Sequence, residues 1–278
     1  MTTLLLAVLV WTGSLLAGLL GALTGLGGGV VVVPLLVLGF GVDIRYAMGA
    51  SLISVIATSS GAAAAYVKEG YSNIRIGMFL EVATTAGAIA GAFLAVRLHT
   101  NVIAMIFGCV LLVTALLSLR KQAEPPEHET PDAIAARLRL DGSYPSLAGR
   151  RDYHVRNVPG GFGVMFGAGT LSGLLGIGSG AFKVIAMDQV MKIPFKVSTT
   201  TSNFMIGVTA AASAGIYLRR GFIDPGLAMP VVLGVLLGSV LGTRVLMKAK
   251  TSWLRIIFNL VIFALGVEMI YGGITGKL

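Results

Sequence analysis

The sequence predicts an all-α polytopic membrane protein built from two inverted repeats of about five hydrophobic segments each, with short broken or re-entrant helices and a small polar linker. Composition, uncharged runs and an internal repeat predict this class. Of 278 residues, 55% are hydrophobic and 12% charged, whereas soluble domains carry about 25% charged residues. Mean hydropathy is +0.88. Residues 4–42 contain no charged side chain, and about 20 apolar residues suffice to span a bilayer.

Ten apolar segments follow one another along the chain. They lie near residues 4–24, 28–42, 46–67, 74–97, 101–119, 160–176, 180–191, 197–218, 224–246 and 252–274. The second and seventh are short, because a helix of about 12 residues covers roughly 18 Å of a hydrocarbon core about 30 Å thick. We therefore expect eight to ten full spans, with half-helices or re-entrant segments among them.

A polar linker divides the chain into a first transmembrane repeat (1–119), the linker itself (120–158) and a second repeat (159–278). Two alternating runs, Arg137–Leu140 and Asp152–Val155, flank a turn-rich stretch that begins at Asp141. This pattern predicts a small β-hairpin. The linker is either a regulatory or partner-binding element or a simple connector between the repeats.

The distribution of Lys and Arg predicts the orientation. With the linker inside, fifteen Lys and Arg fall in inside loops and five in outside loops. Cytoplasmic loops carry an excess of these residues, so the linker is expected in the cytoplasm and both termini outside. The net charge of +9 then reflects membrane topology, and no nucleic-acid partner is expected.

An internal repeat is the strongest signal in the sequence. Residues 18–29 read GLLGALTGLGGG and residues 169–180 read GTLSGLLGIGSG. The offset of 151 residues holds without a gap for about 100 residues. Five segments per repeat is an odd number, so the second copy must enter the membrane from the opposite side. Secondary transporters with inverted repeats hold substrate near the midplane, at the repeat interface.

The glycine clusters in these two stretches each end one apolar segment and begin a short one. Glycine lets the backbone leave helical geometry, and a helix N-terminus with unpaired N–H groups attracts anions. Tight helix crossing at small residues is the alternative. The candidate substrate-binding residues here are Gly27, Gly28, Gly29, Gly178, Ser179 and Gly180.

Hydroxyl side chains recur at the start of the third segment of each half. Such groups can bind the oxygens of sulfonate, sulfite or carboxylate without a buried charge, or they can bond to other helices or to their own helix backbone. The candidates are Ser51, Ser54 and Thr58 in the first half and Ser202, Asn203 and Thr209 in the second.

Few charged residues fall within the apolar segments, and such residues are functional candidates in a membrane protein. Lys183 follows the second glycine break and could supply the cation for an anionic substrate. Alternatively, it could pair with Asp188 or extend its ammonium towards the headgroups by snorkelling. Glu81 and Asp188 are candidates for proton coupling, although Glu81 could instead lie near the headgroups. Glu268 is expected at the outer interface.

Catalytic and metal-binding patterns are not expected. The three histidines, His99, His128 and His154, lie outside the span interiors, and the chain contains neither an HExxH motif nor clustered acids. We therefore predict neither an enzyme nor a cofactor.

The duplicated G-[LI]-G-[GS]-G break and the small-residue start of the third segment resemble the sulfite exporter TauE/SafE family of membrane transporters. The resemblance implies a bacterial or archaeal plasma-membrane permease for sulfite, sulfonates or related sulfur-containing anions. It also implies that substrate binds at the glycine breaks and around Ser51 and Ser202. The chain departs from its own repeat at two places, with Ser179 opposite Gly28 and Lys183 opposite Val32.

The leading hypothesis is a secondary transporter that moves a small anion by alternating access and could be proton-coupled. The alternative is an anion channel, or a membrane sensor whose cytoplasmic linker binds a partner. The expected partners are the anionic substrate and the lipid bilayer, and small-residue helix faces are compatible with a homodimer.

Overall fold

The computed structural model describes residues 3–24, 28–68, 72–118, 132–146, 149–246 and 251–276. Helices occupy all ten predicted apolar segments, which confirms the all-α membrane fold. The first five are α1 (Thr3–Thr24), α2 (Gly29–Pro34), α3 (Ile44–Lys68), α4 (Ile74–Arg97) and α5 (Thr100–Ser118). The linker contains α6 (Ala133–Leu138), β1 (Gly142–Ser146) and β2 (Gly149–Tyr153). The last five are α7 (Val158–Leu175), α8 (Gly180–Ile185), α9 (Phe195–Arg219), α10 (Pro225–Leu246) and α11 (Thr251–Thr275).

Length and hydropathy together identify candidate membrane spans. Within the described ranges, five helices are long and apolar enough to cross a bilayer, namely α1, α4, α5, α7 and α10. The two short helices are confirmed as short. Helix α2 continues as a π-helical turn over Leu35–Gly39, and α8 continues in the same way over Ala186–Val190.

The order of the elements recurs after the linker with the predicted offset. Helix α2 and its π turn are equivalent to α8 and its π turn, and α3 is equivalent to α9, each shifted by 151 residues at both ends. Helices α1, α4 and α5 correspond to α7, α10 and α11 with the 151-residue offset at one end of each helix. The membrane face from which each copy enters stays a prediction.

Two pairs of helices pack so closely that only glycine fits between them. A Cβ atom on Gly18 of α1 would overlap the carbonyl oxygen of Val235 in α10, and a Cβ on Gly169 of α7 would overlap that of Thr84 in α4. These two contacts are equivalent under the 151-residue offset. Each copy therefore packs its first helix against the fourth helix of the other copy.

The central helices α3 and α9 run antiparallel. Near the start of α3, Met48 lies beside Tyr217, whose hydroxyl near the end of α9 donates to the Gly173 carbonyl oxygen at 3.1 Å. Beyond the far end of α3, the Asn73 amide donates to Thr201 Oγ1 near the start of α9 at 3.0 Å. Helices that are equivalent by sequence thus point in opposite directions.

The linker forms the predicted hairpin, although its strands are displaced from the predicted runs. Strands β1 and β2 are antiparallel, with Gly142 opposite Tyr153. The run Arg137–Leu140 is instead the end of α6 and the residues after it. The physical reason is capping: Asp132 accepts a hydrogen bond from the Ile134 amide, and a left-handed Arg139 (φ 51°) ends the helix.

The linker packs against the ends of the bundle where α4, α7 and α9 begin. Its apolar side chains join a buried cluster with Ile76, Leu80, Met165 and Met205 of those helices. Asn73 Nδ2 donates to the Tyr153 hydroxyl at 2.7 Å and to the Leu140 carbonyl oxygen at 3.1 Å. Burial raises the pKa of Tyr153 to about 12, so this phenol keeps its proton at neutral pH.

Candidate functional site

The two glycine breaks meet beside the crossing of α3 and α9. A Cβ on Gly29 would lie 3.6 Å from the Ile177 Cα atom of the other break. A Cβ on Gly178 would touch both Val55 of α3 and Ile206 of α9, at 3.1 Å and 2.8 Å. The fold therefore brings together two segments that lie far apart in the sequence, and their role in substrate binding stays a prediction.

The second break uses left-handed backbone, which explains its composition. Gly176 and Gly178 have φ of +69° and +72°, and Ser179 between Gly178 and α8 has φ of 46°. Glycine adopts such angles without a steric penalty, whereas a side chain such as that of Ser179 is strained there. Gly28 is the residue that precedes α2, and Gly27 lies outside the described residues.

Ser51 and Ser202 hold the breaks to the central helices. Ser51 Oγ donates to the Gly176 carbonyl oxygen at 2.8 Å and lies 3.5 Å from that of Gly29, whereas Ser202 Oγ donates to the Gly180 carbonyl oxygen at 3.2 Å. Both serines are buried. The structure thus shows close packing and hydrogen bonding at both breaks, and an anion at their amides stays a prediction.

Two other predicted hydroxyls bond within their own helix. Ser54 Oγ donates to the Ser51 carbonyl oxygen, and Thr58 Oγ1 to that of Ser54 or Val55. Such bonds satisfy a hydroxyl inside a helix and need no ligand. Asn203 is half-buried on α9, and a substrate contact for any of these residues stays a prediction.

A buried polar network joins Lys183, Thr209 and Glu81 from three different helices. The Lys183 ammonium donates to Thr209 Oγ1, and the Thr209 hydroxyl donates to Glu81 Oε1 at 2.7 Å. Lys183 is 0% exposed and Glu81 is 8% exposed. The threonine hydroxyl therefore accepts from the cation and donates to the carboxylate, and so links two buried opposite charges.

Two threonines of α4 complete the surroundings of Glu81. Thr85 Oγ1 donates to Glu81 Oε1 at 3.0 Å, and Thr84 Oγ1 lies 3.5 Å from Thr209 Oγ1. Glu81 Oε2, in contrast, is buried without a hydrogen-bond partner among the described residues. The same holds for Ser179 Oγ at the start of α8. Buried polar atoms are nearly always partnered, so these two atoms are available to a bound group.

The remaining intramembrane charges lie elsewhere. Asp188 is half-buried on the π turn after α8. The cation that interacts electrostatically with its carboxylate is Lys192. Lys183 therefore pairs through Thr209 with Glu81 rather than with Asp188. Glu268 is exposed on α11. Across the part of the chain that the structure describes, no three His, Cys, Asp or Glu side chains cluster as metal ligands would.

Sequence reasoning found the members of the network separately but not their connection. Lys183 and Thr209 were predicted as substrate ligands and Glu81 as a proton carrier. Thr84 and Thr85 were missed, although they follow Glu81 by three and four residues and so share its helix face. Glu81 is enclosed by protein, and its depth in the bilayer stays a prediction.

Comparison with known proteins gives one consistent family. Residues 10–269 match the family described as Sulfite exporter TauE/SafE. Relatives include the probable membrane transporter protein YunE of Bacillus subtilis (28% identical, covering 94% of this chain and 96% of the relative). A probable membrane transporter protein of Xylella fastidiosa is 26% identical, covering 98% and 97%. The probable membrane transporter protein MJ0441 of Methanocaldococcus jannaschii is 23% identical, covering 96% of each chain. No solved structure matches.

Proposed function

The chain belongs to the sulfite exporter TauE/SafE family of multi-pass membrane transporters, and from this premise we propose that it is a secondary transporter for a small anion. It works by alternating access in the plasma membrane of a bacterium or archaeon. The linker lies in the cytoplasm and both termini lie outside, as the distribution of Lys and Arg indicates.

The observation that carries the proposal is the fully buried Lys183. An ammonium group has three N–H donors, and among the described residues Lys183 donates one hydrogen bond, to Thr209. Ionisable groups inside a membrane bundle mark substrate and ion pathways. With two remaining donors and a positive charge beside the second glycine break, Lys183 is suited to hold an anion.

The substrate class follows from the neighbouring polar groups. The unpartnered Ser179 hydroxyl lies four residues before Lys183, at the start of the same short helix. One ammonium and one hydroxyl suit a small oxyanion. Sulfite or an organosulfonate is the first choice, because the family description names sulfite.

Alternating access is supported by the pairing of equivalent helices. Helices α3 and α9 are antiparallel, and so are α5 and α11, since Gly273 near the end of α11 lies beside Asn101 near the start of α5. This arrangement is expected when the second copy is inverted in the membrane. Inverted repeats allow one bundle to rock against the other around a site near the midplane.

Flux into proteoliposomes tests the proposal. We expect saturable uptake of labelled sulfite or methanesulfonate by the wild-type protein, and counterflow when the vesicles are preloaded with unlabelled anion. Lys183→Met should reduce uptake at least about a hundredfold, because an uncompensated buried charge is worth several kcal/mol. Lys192→Met, at an exposed lysine, is the matched control and should transport normally. Saturable uptake that survives Lys183→Met would disprove this site.

The same preparation distinguishes the channel alternative. A carrier exchanges labelled anion against an internal pool and saturates, whereas a channel conducts far faster and shows a unitary current in planar bilayers. A unitary current without counterflow would replace the carrier by an anion channel.

A further inference from the structure

The charge of Lys183 is already balanced in the described state. Thr209 connects its ammonium to Glu81 Oε1, so the site holds one positive and one negative charge. An anion that binds Lys183 would bring a second negative charge into a space enclosed by protein. Two anions that share one cation in a desolvated site repel each other, and a proton on one of them removes the repulsion.

We propose that Glu81 takes up one proton each time a monoanion binds Lys183, so that the protein is a proton–anion symporter with one proton per anion. This inference rests on the proposed function. The proton from solution bonds to Glu81 Oε2 and gives a neutral carboxylic acid. When the anion leaves, Oε2 releases the proton and the carboxylate again balances Lys183 through Thr209.

The unpartnered oxygen explains why Glu81 suits this task. Glu81 Oε1 already accepts from Thr209 and Thr85, whereas Oε2 is buried and accepts from no group. A proton on Oε2 turns this orphan acceptor into a hydrogen-bond donor. The protonated site then offers the acid O–H and the two remaining N–H groups of the lysine.

No second carboxyl group competes for this role among the described neighbours. Helix α7 contains no ionisable side chain. On α9, Lys196 lies near the start and Tyr217 and Arg219 lie near the end, and Arg75 and Arg97 occupy the two ends of α4. Asp188 lies on the π turn and interacts with Lys192. From the linker, Tyr153 contacts Asn73.

The first copy offers no equivalent pair. The 151-residue offset places Val32 opposite Lys183 and Val232 opposite Glu81. Within the described residues the repeat therefore provides one such site, which gives the proposed ratio of one proton for one anion.

Methanesulfonate is the probe that tests the coupling, because its sulfonate stays a monoanion across the working pH range. For the wild type we expect accumulation driven by an inward proton gradient. We also expect an affinity that weakens about tenfold per pH unit once Glu81 is ionised, as linkage of one proton requires. Glu81→Gln, whose amide is neutral like the protonated acid, should lose gradient-driven accumulation and bind the anion independently of pH. Glu268→Gln, at an exposed carboxylate on α11, is the control and should match the wild type.

A measurement on the unmodified protein guards against a folding defect in the variant. Binding calorimetry in buffers of different ionisation enthalpy should give uptake of about one proton per anion by the wild type. Counterflow with no proton uptake, or accumulation that survives Glu81→Gln, overturns the coupling and leaves anion transport standing. If the wild type shows no counterflow with methanesulfonate or with sulfite, anion transport fails and the coupling fails with it.

Discussion

The two copies of the repeat have the same arrangement of helices, but the side chains buried at equivalent positions differ. In the second copy Lys183 of α8 reaches Thr209, and Glu81 of α4 completes the network. At the corresponding positions the chain has Val32 and Thr58 in the first copy and Val232 on α10 of the second copy. Val32 is fully buried, and Thr58 bonds only within its own helix. One scaffold therefore supports a charged site on one side and an apolar core on the other.

The glycine contacts show the opposite behaviour, because they are the same in both copies. Gly18 against Val235 and Gly169 against Thr84 are equivalent contacts between backbones. A side chain can change at one site while the scaffold stays intact, whereas a backbone contact fixes the distance between two helices. The backbone contacts between helices are therefore equivalent in the two copies, whereas the buried polar side chains are not.

The largest expected effect on stability comes from removing only one of the two buried charges at the charged site. Lys183→Met leaves the Glu81 carboxylate buried without a cation, which should lower the free energy of unfolding by about 3–5 kcal/mol. The double variant Lys183→Met/Glu81→Leu should recover that stability, because apolar residues replace buried ion pairs well. Thermal unfolding in detergent measures both. A single variant as stable as the wild type would show that Lys183 does not balance Glu81.

Gly169→Ala and Gly18→Ala test whether the contact between α7 and α4 is equivalent to the contact between α1 and α10. Each added Cβ meets a carbonyl oxygen of the partner helix, so we expect both to destabilise by a similar amount, about 2 kcal/mol. Gly167→Ala is the matched control on α7, since a Cβ there meets nothing within 4 Å, and it should be neutral or stabilising by up to about 1 kcal/mol. Strongly unequal effects of Gly169→Ala and Gly18→Ala would break the equivalence of the two helix pairs.

Thr209→Val removes the hydroxyl that links Lys183 to Glu81. We expect saturable anion uptake to fall about tenfold, which corresponds to roughly 1.4 kcal/mol. Thr58→Val, at the equivalent position, should change uptake by a few-fold at most, because its hydroxyl donates to carbonyl oxygens of its own helix. Equal losses in the two variants would argue that the first copy also contacts substrate.

The smallest difference is expected between the two serines. Ser51→Ala removes a bond that crosses between the copies, to Gly176, whereas Ser202→Ala removes one within the second copy, to Gly180. A buried hydrogen bond contributes about 1 kcal/mol. We therefore expect each variant to lose about that much in thermal unfolding, with the loss for Ser51→Ala slightly larger because its bond is shorter. A larger loss for Ser202→Ala would reverse this ranking.

Helix positions were predictable from the sequence because lipid imposes a simple rule. A span needs a long apolar run, and α4 was predicted at its observed bounds, residues 74–97. The short helices α2 and α8 were also predicted, since glycine interrupts a helical run in a recognisable way. The linker hairpin was placed only approximately, because short polar strands depend on capping and turn geometry that hydropathy does not reveal.

The site was predictable only as separate parts. Lys183 and Glu81 attract attention in any apolar segment because buried charges are rare. Their connection depends on α4 of the first copy reaching α8 and α9 of the second, and no spacing along the chain encodes that contact. Asn73 and Tyr153 were missed for the same reason, since a polar residue at a helix start and a tyrosine in a hairpin are common in any protein.

The pairing of α1 with α10 has a consequence for how the protein is made. The glycine face of α1 leaves the ribosome well before the Val235 backbone that covers it is synthesised. At about 5–20 residues per second, that interval is on the order of ten seconds or more. During this time α1 lies in the bilayer, or against the insertion machinery, without α10 packed against it. A nascent chain that stops after the linker is therefore expected to lack the partner of its first helix, however complete its first repeat looks in sequence.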